Sequence, residues 1–589
     1  MATEEKLAKG AAFLIEETQA EKIFTPEDFT QEHQMIAETT RSFVEGEILP
    51  HSEQLEHQDW DLTVKLLHKA GELGLLAADI PEEYEGLGAD KVTSALITEE
   101  ITRGGSFALS HGAHVGIGTL PIVFFGNEDQ KRRYLPKLAS GEWIAAYALT
   151  EPGSGSDALG AKTTATLSAD GKHYVLNGTK QYITNSGFAN VFVVYAKIDG
   201  EKFSAFIVER DYSGVSTGPE EKKMGIKASS TRQLILEDVH VPVENLLGEP
   251  GRGHVIAFNI LNIGRHKLAV GAVGAMKSAL QVSVKYAKER KQFGTSISSF
   301  PLIQQKLADM NILTFVTESM AYRTTGDIDR QLEKLGKTSD GRQIAQAIEE
   351  YALECSVNKV FASEALDKVV DEGVQIHGGA GFIQDYPIER MYRDSRINRI
   401  FEGTNEVNRM IIPNTLLRKA MKGELALLQA ATALQSELMG MMPISDEVSE
   451  LGPIQHQLAM MKKIFLFVGG VSVQKYMQSL KDEQEILAWL ADIVIEIYAT
   501  ESALLRTQKE LDKGASAEQK VDMTTIFAQE SFARVEQSAR NILASMEEGD
   551  MLRTQLTLLR KLTRVQPVNT RDIKRRIAQR VIDAEKYLA

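Results

Sequence analysis

One carboxylate in this chain is set among neighbours that would make it hold its proton unusually well. In Arg399-Ile-Phe-Glu402-Gly-Thr404-Asn-Glu406, Glu402 follows Ile400 and Phe401 and precedes Gly403. An apolar, low-dielectric setting disfavours the charged form of a carboxylate and lifts its pKa towards neutrality. A group tuned that way can take a proton from carbon near neutral pH. Upstream, Gln375-Ile-His-Gly378-Gly379-Ala-Gly381 presents backbone that can approach a phosphate closely. Together the two stretches suggest a general base beside a dinucleotide cofactor.

Three further stretches carry polar groups in suggestive patterns. Tyr147-Ala-Leu149-Thr150-Glu-Pro-Gly153-Ser-Gly155-Ser156-Asp157 combines glycines, whose N–H groups can face a flat or anionic ligand, with the hydroxyls of Thr150 and Ser156. On its own it also reads as a turn, and it is not the dinucleotide fingerprint G-x-G-x-x-G. Tyr182-Ile183-Thr184-Asn-Ser-Gly187 sets an aromatic and a hydroxyl at a strand end, suited to a ring system or to a cross-strand aromatic pair. In Glu289-Arg290-Lys-Gln292-Phe293-Gly294, followed by Gln304, Arg290 offers two donors to a phosphate or a cation to a helix C-terminus.

The elements that must position these groups follow from periodicity. Residues 26 to 145 read as helical, opening at Thr25-Pro26-Glu27-Asp28 with a cap, a first-position proline and two acids. From 146 to 252 the chain turns to short runs rich in β-branched and aromatic residues, at 173–184, 191–197, 204–209 and 233–241. Four long helical segments fill 253–419, as in a four-helix bundle, and further helices run from 420 to 589. The expected fold is mainly α with a central β-domain.

Composition sets bounds. At 589 residues the chain exceeds the size at which one hydrophobic core stops growing. Its net charge of −15 argues against a general nucleic-acid binder. The basic run at Arg571, Lys574, Arg575, Arg576 and Arg580 reads as a solvated helix face. The single cysteine, Cys355, sits among Leu353, Val357 and Val360 and reads as a core thiol, compatible with a reducing compartment. Met1 to Ala20 has no secretory pattern, and no apolar run approaches the about 20 residues of a membrane span. A cytoplasmic, bacterial-type chain with at most peripheral membrane contact is expected. No metal site is expected.

The ordered set of motifs resembles the acyl-CoA dehydrogenase family over about residues 30 to 418. The helical region beyond, with Gly225-Ile-Lys-Ala-Ser, resembles its very-long-chain branch. The resemblance implies an N-terminal helical domain, a middle β-barrel or sandwich, a four-helix bundle and an additional helical domain. It also implies FAD. Glu402 matches the catalytic base, which removes the α-proton of an acyl-CoA while the β-hydride passes to flavin N5, giving a trans-2-enoyl-CoA. Tyr147, Leu149, Thr150, Ser156, Tyr182, Ile183 and Thr184 match flavin-contacting positions, and Ser156 also lies towards the CoA. Tyr182 stands where many relatives have Trp, which would reduce stacking area. Arg290, Phe293, Gln304, Gln375, Gly378 and Gly379 match residues gripping the ADP half, partly from a neighbouring subunit, and Thr404 and Glu406 match the last FAD contacts. Asn262, Arg265 and Gly403 match substrate contacts. A minority of the family carries its base at the position of Gly264, which cannot serve as one here.

The same resemblance implies a homodimer, electron-transferring flavoprotein as acceptor, and a role at the start of fatty-acid β-oxidation. His111-Gly112-Ala-His-Val-Gly116-Ile-Gly118 falls along the family's acyl tunnel. Its glycines suit either a long tail or close helix packing. The apolar stretch 425–442 suits interdomain packing better than a membrane surface, having only Lys422 as a cation. The rivals are an acyl-CoA oxidase, distinguished by hydrogen peroxide in air, and a catalytically idle scaffold, which would purify without colour.

Overall fold

The computed structural model describes residues 7–336, 340–439 and 449–589. Helices dominate, with one sheet inserted after the first block. Helices Gln31–Phe43, Trp60–Glu72, Lys91–Thr102 and Glu128–Ser140 form the N-terminal block, with the continuous helical stretch 107–125 between the last two. The bundle is Gly253–Glu289, Pro301–Leu335, Ala352–His377 and Asn405–Met421. Helices Leu427–Met439, Gly452–Tyr476, Gln484–Asp512, Glu518–Met546, Gly549–Leu562 and Thr570–Ala584 follow it.

The eight-stranded sheet runs Val215–Thr217, Thr231–Pro242, His173–Thr184, Thr164–Leu167, Val191–Ile198, Lys202–Glu209 and Leu246–Leu247, with Ala145–Ala148 pairing parallel to Val191–Ile198. The four strands expected from sequence are present. Ala145–Ala148 was not foreseen, because its alanines lack the β-branched signature. Both faces of Val191–Ile198 are covered. Val191, Val193 and Tyr195 pack on Ile256 and Ile260 of the first bundle helix, while Phe192 and Val194 pack on Leu176, Leu234 and Val239 of the sheet's other half. Burial on both sides explains an unbroken apolar run where a half-exposed strand would alternate.

Two sequence expectations are corrected here. Thr25-Pro26-Glu27-Asp28 opens only a single 3-10 turn, and the long helix begins at Gln31 under a Thr30 cap. Asp28 closes a capping box with Thr25 N–H (2.9 Å), and Glu27 and Asp28 also pair with Arg506 (2.8 Å) and Lys509 (2.5 Å) of the C-terminal region. The 19-residue stretch Phe107–Phe125 does reach the length and apolarity of a membrane span. It is mostly buried, and its middle turn is a π-helix. Its polar residues hid this in the sequence. Its two histidines are satisfied internally, His111 Nε2 bonding the Leu75 carbonyl (2.9 Å) and His114 Nε2 the Leu138 carbonyl (3.0 Å).

The C-terminal helices are joined to the rest by a buried ionic chain. Lys277 bridges Glu99 and Glu318 (2.5 Å each), and Glu318 meets Arg506 (2.6 Å) and the Tyr587 hydroxyl (2.6 Å). Each charge has a partner, as burial demands, and Lys277 and Arg506 hold Glu318 down to about 2 against the upward push of its burial. The basic run near the C-terminus is likewise engaged: Lys574 with Asp309 (2.7 Å), Arg576 and Arg580 with Asp522 (2.5 and 2.8 Å). Leu425, Leu434 and Leu438 are buried, so one face of 425–438 packs inward while Leu428 stays exposed; residues 440–442 lie outside the described residues. Cys355 is a core thiol, pushed up to about 12 by burial.

Candidate active site

Glu402 lies in a tight loop between the turn Arg396–Arg399 and the helix Asn405–Met421. Glu402 and Gly403 both have left-handed backbone (φ 58° and 79°), a conformation that costs a non-glycine residue and persists only when the surroundings impose it. Here they do. The Glu402 carbonyl accepts from Arg265 Nε (3.0 Å), and the Gly403 carbonyl from Lys359 Nζ (2.8 Å) and Asn408 Nδ2 (2.9 Å). The Thr404 carbonyl also accepts from Asn408 Nδ2 (3.0 Å). The Thr404 hydroxyl caps the next helix through Val407 N–H (3.2 Å).

With its carbonyls tied down on one side, the loop turns the Glu402 side chain to the other. Oε2 is buried with no hydrogen-bond partner. Burial raises the carboxyl pKa to about 7, and Arg265 and Lys359 limit the rise. Gly264 supplies the space: a Cβ there would stand 2.7 Å from Glu402 Oε2.

The carboxylate opens on a largely apolar cavity of about 220 Å³ between the helices Lys91–Thr102, Gly253–Glu289 and the stretch 107–125. Gly264, Leu268, Gly271, Ala275 and Ser278 present one face of the bundle helix to it. The two readings of the glycines at 112–118 divide between positions. A Cβ on Gly112 would meet nothing within 4 Å and one on Gly116 only Lys267 Cδ at 3.9 Å, so both keep the cavity open. Gly118 is a packing glycine, since a Cβ there would lie 2.8 Å from that of Ala145.

The flavin-matching residues fall into two groups. Tyr147, Leu149 and Ile183 are buried, and Thr184 lines the cavity beside Glu402. Their two segments are tied together by Gln181 N–H on the Thr150 carbonyl (2.8 Å) and by the buried pair Lys180–Glu151 (2.7 Å). A register shift between Lys180 and Ile183, with Tyr182 at φ 58°, turns the strand end and leaves the Tyr182 ring 64% exposed. Thr150 is half-buried and Ser156 exposed. The second group sits outside this cavity. Arg290, Phe293, Gln375, Gly378 and Gly379 are exposed, Phe293 to 96%, where two bundle helices end side by side with Tyr286 stacked on His377 at 4.2 Å. Gln304 is half-buried in the first turn of Pro301–Leu335, and Glu406 is exposed in the first turn of its helix.

Several residues have duties that the sequence did not announce. Asn262 and Arg265, expected at the substrate, are buried and bond each other (2.8 Å) while Arg265 holds the Glu402 backbone. Asn185 carries its amide to the Ser110 carbonyl (2.9 Å), locking the strand end to the cavity wall. Lys359, Asn405 and Asn408 went unnoticed because a lone Lys or Asn in a helical run has no local signature; only the fold brings them under the loop. Among the described residues no cluster of His, Cys, Asp or Glu is arranged to hold a metal.

Helical block, sheet, four-helix bundle and a raised carboxylate with an unpaired oxygen facing an apolar cavity define an oxidoreductase of the acyl-CoA dehydrogenase architecture. The family models agree. Those for the acyl-CoA dehydrogenase N-terminal and middle domains match residues 30–142 and 146–239, and two for C-terminal domains match 251–417 and 460–561. The chain belongs to the acyl-CoA dehydrogenase family. It is 60% identical over 583 residues to a probable acyl-CoA dehydrogenase of Bacillus subtilis, covering 98% of both chains. It is 35% identical to the mitochondrial very long-chain specific acyl-CoA dehydrogenase of Bos taurus, over 88% of this chain and 81% of that one. The crystal structure of an acyl-CoA dehydrogenase complexed with FAD from Bacillus anthracis superposes with TM-score 0.98 at 60% identity, covering 99% of this chain and 100% of that one. Butyryl-CoA dehydrogenase of Megasphaera elsdenii matches at TM-score 0.60 and 35% identity, its chain 99% covered by only 66% of this one.

Proposed function

We propose that this protein is an FAD-dependent dehydrogenase of long- to very-long-chain acyl-CoA, with Glu402 as the base. The observation that carries the reading is the Glu402 carboxylate: one oxygen buried and unpaired, poised near pH 7, and facing an open apolar cavity. An orphaned polar atom on an apolar tunnel is a poor packing solution but a useful one for taking a proton from a bound hydrocarbon.

The residues fit FAD. Thr184 in the cavity wall and the exposed Tyr182 ring offer a hydroxyl and an aromatic face to the flavin, and Tyr147 and Leu149 back them. Arg290, Gln375, Gly378 and Gly379 would take the ADP half, with Phe293 presented to a second subunit of a homodimer. When bound, FAD accepts the hydride from the β-carbon. The protein orients and deprotonates. Glu402 takes the α-proton, the loop carbonyls stay bound to Arg265, Lys359 and Asn408, and the apolar walls exclude water from the acyl chain. Open space at Gly112 and Gly116 supports a long tail. We place the enzyme at the start of β-oxidation in the cytoplasm, with electron-transferring flavoprotein as acceptor.

Anaerobic mixing of the yellow protein with palmitoyl-CoA tests this. Bleaching of the visible flavin band is expected. A yellow protein that stays yellow with palmitoyl-CoA but bleaches with short or branched thioesters would sink the long-chain assignment, and peroxide formation at the turnover rate would sink the acceptor.

A further inference from the structure

A line of side chains leads from the added C-terminal helices to the Glu402 loop. It begins at Asp492 on Gln484–Asp512, whose Oδ1 accepts from Arg409 Nε (2.8 Å). Arg409 makes a two-pronged contact with Glu364 (2.7 and 3.0 Å). Glu364 accepts from Asn405 Nδ2 (3.0 Å), and Asn405 Oδ1 accepts from Lys359 Nζ (2.6 Å). Lys359 Nζ ends the line on the Gly403 carbonyl (2.8 Å). Glu364 and Lys359 share the bundle helix Ala352–His377, and Asn405 and Arg409 the helix that follows the loop.

Lys359 is the unusual member. It is fully buried, yet its ammonium bonds a carbonyl and an amide oxygen rather than a carboxylate. Burying an ammonium without an ion-pair partner is costly, and burial does pull this one down to about 8. Its charge acts on Glu402. Around that carboxylate Arg265 from Gly253–Glu289 and Lys359 from Ala352–His377 lower its pKa; Arg103, Lys267 and Asp394 line the same cavity, the buried Tyr147 hydroxyl lies within electrostatic reach, and Glu406 on its own segment is exposed.

We propose that Lys359 is the positioning residue of the reaction, holding the Glu402 loop by the Gly403 carbonyl, and that the added C-terminal region braces this hold through Asp492. The inference rests on the reading of Glu402 as the base. Shorter relatives of the butyryl-CoA dehydrogenase size match only 66% of this chain, so a brace from Gln484–Asp512 belongs to the longer architecture.

The test is the rate of anaerobic flavin reduction by palmitoyl-CoA across pH, in the yellow holoprotein and its Lys359→Met, Asp492→Asn and Glu402→Gln variants. Loss of loop position in Lys359→Met is expected to slow reduction by about 100-fold. Loss of its charge is expected to move the half-maximal pH upward by about one unit, with half-saturating palmitoyl-CoA little changed. Asp492→Asn, which removes charge only from the outer end, is expected to slow reduction by about 3- to 10-fold with the wild-type midpoint. A Lys359→Met enzyme of lowered melting temperature but wild-type rate and midpoint would reduce Lys359 to a strut and overturn the proposal. If Lys359→Met loses its flavin, Asp492→Asn decides alone, and a wild-type rate overturns the brace. Wild-type reduction by Glu402→Gln overturns the base assignment instead.

Discussion

The two ends of the candidate cofactor site are built on opposite principles. Around Glu402 everything is enclosed within one chain: Tyr147, Ile183, Arg265 and Lys359 are buried, and each loop carbonyl has a donor. Around Phe293 the residues are held out to solvent, and an added Cβ on Gly378 or Gly379 would meet nothing within 4 Å. The enclosed end sets a pKa, which requires low dielectric and a rigid shell. Under the proposed function, the open end has only to recognise a ligand. The raised pKa is kept where one fold controls the surroundings, and the proposed ligand contacts are left in the open.

The comparison can be broken most sharply at its enclosed end. Glu402→Gln should keep the yellow colour and acyl-CoA binding yet lower the rate of flavin reduction by about 10²- to 10⁴-fold, since the amide keeps the shape but accepts no proton. In the wild type that rate should rise with pH through about 7 as Glu402 ionises. A flat profile from pH 5.5 to 8.5 would remove Glu402 from the chemistry. Filling the cavity comes next. Gly112→Leu should cost palmitoyl-CoA about 10- to 100-fold in kcat/KM and spare butyryl-CoA, and equal losses on both would show that the glycine serves packing.

Stability gives a smaller and opposite signal. Glu402 holds its proton more tightly folded than unfolded, because burial raises its pKa from the ordinary 4.5 to about 7. The native state therefore loses stability as pH rises from about 4.5 to 7, by up to about 3 kcal/mol, and none of that loss occurs in the amide variant. Glu402→Gln should thus be the more stable protein at pH 8, with the gap closing by pH 4; a gap that does not change with pH would refute the linkage. Smallest of all, Phe293→Ser at the open end should change the unfolding free energy of one subunit by no more than about 0.5 kcal/mol, its ring being exposed. The same variant should weaken FAD retention and subunit association. Unaltered flavin content and mass would detach this end from the cofactor.

Much of this was legible before any coordinates. Long helical periodicity revealed the four bundle helices, and β-branched runs bounded by Gly and Asn revealed the major strands. Glu402 stood out because its apolar neighbours are adjacent in sequence. What escaped were features that depend on distant partners. Ala145–Ala148 is a strand only because Val191–Ile198 lies beside it. Glu27 and Asp28 sit at a short helix start, as expected, but also pair with Arg506 and Lys509, nearly 500 residues away. Lys359 belongs to the site through one backbone carbonyl, and no spacing rule links it to Gly403.

Gly264 has a consequence for how this site can change. The missing side chain leaves room that the Glu402 carboxylate fills from across the helix, so the two positions compete for one location. Any side chain introduced at 264 would have to push the Glu402 carboxylate aside. A larger residue at 264 is therefore a way to move this carboxylate without touching residue 402.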